Sequence, residues 1–190
     1  RIAEHLKDSA EIANLNNYLG DVHFDRKIYF LAMDCYSKAY RIFSNNGYEI
    51  QAAYSLINIG DTYAAQNLFE NAKATYNDAM QIFEINHFAE GKAAVWEKES
   101  NIFLRQEKED KAFELFFDVL KVRKKTQKPD LIAKSYMNLV KVFMAQNDYV
   151  LKKKKKLNTI EIYKKQHEPF TVEGIYAKFG DKKKKKKKYE

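Results

Sequence analysis

The apolar residues of this chain recur with a period of 40 positions. Each of the clearest columns keeps one kind of apolar residue, either alanine, an aromatic or a branched aliphatic: Ala13, Ala53, Ala93 and Ala133; Ala32, Ala72 and Ala112; Tyr36, Tyr76 and Phe116; Ile42, Ile82, Val122 and Ile162. The sequence Leu19-Gly20-Asp21 returns as Ile59-Gly60-Asp61 in the same register. A fixed period of this length is the sequence signature of a repeat architecture.

Within each period the apolar spacing is helical. Ala72, Tyr76, Ala79 and Phe83 follow one side of a helix, and polar residues such as Gln66-Asn67 interrupt the pattern. The predicted helix pairs are 9–26 with 29–45, 49–66 with 69–86, 88–106 with 109–126, and 129–146 with 149–166. A further first helix is expected near Pro169, and residues 1–7 are expected to end a preceding second helix. A single amphipathic pair cannot bury its own apolar face, so the pairs must stack.

The motif residues resemble tetratricopeptide repeats. The resemblance rests on a large residue, a glycine and an aromatic in the first helix, and on Ala-aromatic-Ala in the second: Leu56, Gly60, Tyr63, Ala72, Tyr76 and Ala79. The long period is similar to that of kinesin light chains and of the bacterial Rap and NprR-type peptide-sensing regulators. The resemblance implies an all-α fold, a right-handed superhelical solenoid of antiparallel helix pairs. Residues 1–190 are interpreted as one array of four to five repeats within a longer protein.

Charge is distributed unevenly along the chain. The net charge is +8, but twelve lysines lie in the tracts 152–156 and 182–188, without which the net charge becomes −4. Lys152 and Lys156 fall on columns that are apolar in the other repeats, where unpaired lysines would be costly to bury. Three explanations stay open: a distorted helix with solvated lysines, binding to an acidic partner, or lysine standing in for residues not truly known.

No catalytic or metal-binding motif is visible. Cys35 is the only cysteine and the four histidines are scattered, so no zinc-ligand spacing occurs. Phosphate-binding glycine loops and nucleophile motifs are also missing from the sequence. The sequence therefore predicts a non-enzymatic protein without a cofactor or metal, and the lack of a long apolar run predicts no membrane span. A cytoplasmic location is expected, and nucleic acid is not an expected partner.

The resemblance implies that the first helix of each pair lines a concave groove that binds a peptide. The candidate residues are polar or apolar positions on the outward face of these helices: Asn14, Asn17, Asp21, Tyr54, Asp61, Glu97, Asn101, Arg105, Lys134, Met137 and Lys141. Asparagine both donates to and accepts from an extended backbone. Arginine and lysine suit an acidic group, and methionine suits an apolar anchor.

The predicted function is a scaffold that holds an extended or helical partner segment. Two alternatives stay open: the sensing portion of a peptide-responsive regulator of the Rap or NprR type, and polyanion binding through the lysine tracts. Neither end of the chain shows a polar capping repeat, which leaves self-association through the end repeats open as well.

Overall fold

The described part of the chain consists of helices joined by short turns. The computed structural model describes the backbone of residues 2–145 and the side chains of residues 8–145. The seven helices in this part are α1 (Ile2–Asp25), α2 (Tyr29–Asn45), α3 (Glu49–Ala65), α4 (Phe69–Ile85), α5 (Ala89–Arg105), α6 (Glu109–Thr126) and α7 (Pro129–Ala145). They form three helix pairs followed by the first helix of a fourth, and consecutive helices pack against one another. The predicted all-α stack of helix pairs is confirmed.

The predicted helix boundaries agree with the structure to within one residue, with one exception. Helix α1 begins at Ile2 and continues without a turn to Asp25. The expectation that residues 1–7 end a separate preceding helix is therefore wrong. The polar residues His5 and Asp8 do not interrupt the helix, because the sequence there contains neither glycine nor proline. The second helix predicted at 149–166, the helix near Pro169 and both lysine tracts lie outside the described residues.

Every turn between the seven described helices contains one residue in the left-handed region, and these residues are 20 positions apart. They are Lys27, Gly47, Asn67, His87, Glu107 and Gln127, with φ between 51° and 76°. In the first five turns the next residue donates its backbone N–H to a carbonyl five residues earlier, as Leu68 does to Tyr63 at 3.0 Å. This is the Schellman ending of a helix. It reverses the chain within three residues and so makes the two helices of a pair antiparallel.

The core lies between the two helices of each pair and between neighbouring pairs. Ala32, Ala72 and Ala112 are fully buried, as is the aromatic column Tyr36, Tyr76 and Phe116. Glycine occurs where this aromatic ring meets the first helix. A Cβ atom at Gly60 would lie 2.3 Å from the Tyr76 ring, and one at Gly20 would lie 2.5 Å from the Tyr36 ring. The absence of a side chain therefore lets the ring lie directly against the first helix.

The repeated left-handed turns predict opposite effects of two substitutions. Gly47→Ala should lower the free energy of unfolding by about 1 kcal/mol, because alanine is strained at positive φ. No other atom lies within 4 Å of a Cβ built at Gly47, so the effect should come from the backbone alone. Glu107→Gly should raise the free energy of unfolding by about 0.5 kcal/mol for the same reason. Urea denaturation followed by circular dichroism measures both, and effects of the same sign would contradict the explanation.

Candidate functional site

An acidic cleft lies between the first and second repeats. Its volume is about 340 Å³. We call this feature the acidic cleft. Six residues line it: Asp21, Phe24 and Asp25 from α1, Tyr36 from α2, and Asn58 and Asp61 from α3. It therefore brings together two of the predicted site residues, Asp21 and Asp61, with a third carboxylate and two aromatic rings.

Tyrosine–aspartate pairs fix two of these carboxylates. The Tyr36 hydroxyl donates to Asp21 at 2.7 Å, and the Tyr76 hydroxyl donates to Asp61 at 2.6 Å. In both repeats the aspartate directly follows the glycine that admits the tyrosine ring. The close approach at glycine therefore also places the hydroxyl beside the carboxylate. In the third repeat Phe116 carries no hydroxyl and Asn101 replaces the aspartate, so this arrangement is confined to the first two repeats of the described chain.

The two aspartates differ in their cationic partner. Lys98, on the following first helix, forms an ion pair with Asp61. The residue 40 positions before Lys98 is Asn58, which is shorter and uncharged. In the described structure Asp21 receives the Tyr36 hydrogen bond but pairs with no lysine or arginine.

Three carboxylates of the acidic cleft act on the Tyr36 hydroxyl. Burial raises the pKa of the Tyr36 hydroxyl, and the hydrogen bond to Asp21 and the charges of Asp21, Asp61 and Asp25 raise it further. A phenolate is disfavoured near carboxylates because like charges repel. The hydroxyl therefore remains a donor, and a positively charged group is the complementary ligand for this environment.

A second polar cluster, which we call the buried ion network, lies where α5, α6 and α7 meet. The Arg123 side chain is only 3% exposed, and it lies 3.1 Å from Glu90 and 2.7 Å from Glu97. Glu97 also lies 2.9 Å from the Lys134 ammonium group, and Arg123 donates to the Ser135 hydroxyl at 3.2 Å. Burial raises the pKa of Glu97, but the contacts with Lys134 and Arg123 together outweigh it and hold this pKa below its ordinary value near 4.5. Glu97 is thus enclosed by contacts within the chain.

Several other predicted site residues also make contacts within the chain. Asn17 exchanges hydrogen bonds with Ser55 of the next repeat. Asn101 donates to the backbone carbonyl of Glu97, and Lys141 donates to the Asn138 side chain. The Tyr54 ring packs edge-on against Phe83 and Phe88.

Arg105 contacts and stabilises the turn between α3 and α4. Its guanidinium donates to the backbone carbonyl of Ala64 and to the Asn67 side chain, and it lies 5.0 Å from the centre of the Phe69 ring. Asn14 and Met137 are exposed. The predicted residues thus divide into those of the acidic cleft, those engaged in contacts between helices, and those exposed to solvent.

Four residues of the acidic cleft are not among the predicted site residues: Phe24, Asp25, Tyr36 and Asn58. The sequence pattern predicts only a core role for Tyr36, because its column is aromatic in three successive repeats. A comparison between repeats could have identified Asn58, because the equivalent residue of the third repeat is Lys98. Cys35 is buried, and this burial raises the pKa of its thiol. Among residues 8–145 no cluster of side chains is suited to hold a metal ion, and no described helix is long and apolar enough to cross a membrane.

Comparison with known families identifies the repeat. Residues 11–85 match the model of the tetratricopeptide repeat, and this segment contains both tyrosine–aspartate pairs. Over this segment the chain is similar to the tetratricopeptide repeat. The predicted family resemblance is confirmed. A search of curated proteins found no significant match to the sequence.

Solved structures with the same fold come from several kinds of protein. BtubC from P. vanneervenii superposes with a TM-score of 0.60 at 18% identity, over 84% of this chain and 66% of its own. The apo form of RapI superposes with a TM-score of 0.62 at 16% identity, over 75% of this chain and 52% of its own. A candidate kinesin light chain from Podosopora anserina, with nearly identical TPR-like repeats, gives 0.56 at 12% identity, over 87% of this chain and 86% of its own. The chain therefore spans about two thirds of BtubC and about half of RapI, and these likenesses concern the fold.

The buried ion network predicts a pH-dependent contribution to stability. Glu97→Gln should lower the free energy of unfolding by about 3 kcal/mol at neutral pH, because it leaves Arg123 buried with one of its two carboxylate partners gone. Since the pKa of Glu97 is lowered by folding, the contribution of its charge is present in full above the ordinary pKa near 4.5. It is lost as the pH falls through the lower pKa of the folded state.

The difference between wild type and Glu97→Gln should therefore shrink below about pH 4.5. Urea denaturation at a series of pH values measures it. Glu114→Gln is the matched control, since Glu114 is exposed and should show little difference at any pH. A deficit in Glu97→Gln that stays constant down to the acid limit would contradict the role of the Glu97 charge.

Proposed function

We propose that this chain is a protein-binding scaffold that holds a partner segment by inserting a lysine or arginine of the partner into the acidic cleft. Tetratricopeptide repeats are in general modules of protein interaction, and the chain carries such repeats over residues 11–85. The observation that supports a basic partner is the different pairing of Asp61 and Asp21. Asp61 pairs with Lys98 from the same chain, whereas Asp21 has an asparagine at the equivalent position.

We take the ion pair of Lys98, in the third repeat, as the pattern for the contact that a basic residue of the partner would make. Lys98 approaches a carboxylate that already accepts a tyrosine hydroxyl, and together they form a tyrosine–aspartate–lysine chain. The first two members of this chain are repeated at Tyr36 and Asp21. A partner ammonium or guanidinium beside Asp21 would complete it, with Asp25 and Asp61 adding charge attraction. Phe24 offers an apolar wall to the aliphatic part of the same side chain.

The dimensions of the acidic cleft suit one side chain of an extended or helical segment. Its volume of about 340 Å³ is at the lower end of the range for ligand sites. The remaining predicted residues that are exposed, Asn14 and Met137, would then contact the partner backbone and its apolar side chains on either side. An acidic group in the partner has less support, because the cations expected to bind it already make polar contacts within the chain: Arg105, Lys134 and Lys141.

The direct test places the missing lysine in the protein itself. Asn58→Lys should let residue 58 pair with Asp21 as Lys98 pairs with Asp61, and so occupy the acidic cleft from within. Peptides with a single lysine or arginine among neutral residues, measured by fluorescence anisotropy, should bind wild type about 10- to 100-fold more tightly than this variant, as expected for one charge-assisted contact. Binding to wild type should also weaken with added salt.

Asn58→Gln is the matched control, because it lengthens the side chain without adding charge, and it should bind these peptides as wild type does. Asp21→Asn keeps an acceptor for Tyr36 but removes the charge, so it should weaken binding as Asn58→Lys does. Peptides in which norleucine replaces the basic residue should bind wild type and all three variants with the same affinity. Equal affinity of wild type and Asn58→Lys for the basic peptides would overturn the proposal.

The alternative of a peptide-sensing regulator has the likeness to RapI as its support, and at 16% identity that likeness concerns the fold. This alternative adds one requirement, namely that a bound peptide changes the arrangement of the repeats. Small-angle scattering with and without a bound basic peptide separates a rigid scaffold from a sensor.

A further inference from the structure

Helix α1 carries a row of large apolar residues that is exposed along its length. Ile12 is 52% exposed, Leu15 65%, Leu19 48% and Val22 46%. We call these four residues the α1 stripe. They lie on the side of the helix opposite Asn17, Asp21 and Phe24, which face the second repeat or the acidic cleft. The α1 stripe is therefore separate from the proposed peptide site.

Most of the equivalent residues in the later repeats are buried, and the remaining three, Lys92, Glu99 and Ile132, are half-buried. Position 15 corresponds to Ser55, Val95 and Ser135, each fully buried, and position 22 corresponds to Thr62, Ile102 and Val142, which are at most 2% exposed. In each of those repeats the first helix packs against the second helix of the repeat before it. Helix α1 thus presents a face that the fold covers with a helix in every other described repeat.

The α1 stripe also has the spacing of a coiled-coil seam. Ile12, Leu15, Leu19 and Val22 are separated by three, four and three residues, which are the a and d positions of two heptads. This spacing reads the same in both directions along the helix. An identical helix running antiparallel would therefore place Leu15 against Leu19 of the partner copy, and Ile12 against Val22 of the partner copy.

The charges at the two ends of the seam favour the antiparallel direction. The same register that pairs Leu15 with Leu19 brings Asp8 opposite Arg26 of the second copy, at both ends of the interface. Both side chains are exposed in the described structure. A parallel pairing would instead bring Asp8 next to Asp8 and Arg26 next to Arg26, which repel each other.

We propose that the α1 stripe is the interface of a homodimer, in which the α1 helices of two copies pack antiparallel about a twofold axis. The same patch then serves both subunits, as a twofold interface requires. Two heptads make a short seam, so the dimer should be weak and should dissociate on dilution in the micromolar range. The dimer leaves the acidic cleft accessible on each copy.

Sedimentation equilibrium of the full chain over a range of concentrations tests the dimer. Wild type should reach twice the chain mass at high concentration, whereas Leu15→Glu should weaken association at least about 10-fold, since it places a charge in the apolar seam. Leu15 is already largely exposed, so this variant should retain the helical circular dichroism of wild type. Ile85→Glu is the matched control: Ile85 is 75% exposed on α4, and its replacement should leave the dimer unchanged.

A charge exchange tests the orientation of the helices. Asp8→Arg alone and Arg26→Asp alone should each weaken the dimer, and the double variant should restore it. Three outcomes overturn the proposal: a wild type that stays monomeric at every concentration, a dimer that Leu15→Glu does not weaken, and single charge variants that the double variant fails to rescue. If wild type is monomeric but Leu15→Glu abolishes binding to an added amphipathic helical peptide, the occupant of the α1 stripe is a different protein. Peptide binding at the acidic cleft is measured separately, so either proposal can fail alone.

Discussion

The structure depends on the burial of one helix pair against the next. Each pair is apolar on the side that meets its neighbour, and it gains a buried core only when another pair covers that side. The fully buried columns of alanine and aromatic residues recur at every described step of the stack. Their small and large side chains alternate so that the helices approach closely while the rings fill the space beside them. Because of this constraint the apolar columns keep the same 40-residue period. Residue types vary between repeats only where the neighbouring helix pair can still cover them.

The variation between repeats carries the specific chemistry. The column that holds Phe43 and Phe83 continues as Arg123, and the column that holds Ile57 continues as Glu97. These two replacements compensate each other, because the arginine and the glutamate form a buried ion pair where the second repeat has the apolar residues Phe83 and Ile57. An isolated buried charge would be strongly destabilising, but a pair with further hydrogen bonds to Ser135 is tolerated. The repeat therefore accepts polar residues in its interior when they change together.

The fold was predictable from the sequence because the signals repeat. The helix boundaries recur with the same turn chemistry, and one ambiguous turn is corrected by the others. The start of α1 is mispredicted because the 40-residue period places residues 1–7 in the register of residues 41–47, where α2 ends. The acidic cleft was predicted only in part, through Asp21 and Asp61. Side-chain pairing decides which of the predicted polar residues are exposed to a partner, and the pattern of residue types does not reveal this pairing. Glu97, Asn101 and Arg105 have suitable chemistry for a ligand, but each meets a group of its own chain first.

Comparison of one repeat with the next gives more functional information than the residue types alone. A helix repeat of constant geometry places residue 58 in relation to Asp21 as it places residue 98 in relation to Asp61. The ion pair at Asp61 and the asparagine at position 58 are therefore two results of the same geometry with different side chains. The same logic applies to the α1 stripe, because a preceding helix covers most of the equivalent positions in each later repeat. One repeat can have the backbone geometry for a contact but lack the side chain that makes this contact in another repeat. A group from outside the repeat can then make the contact. For Asp21 the proposed group is a cation, and for the α1 stripe the proposed group is the α1 helix of a second copy. Both proposed sites thus follow from the stacking that builds the fold.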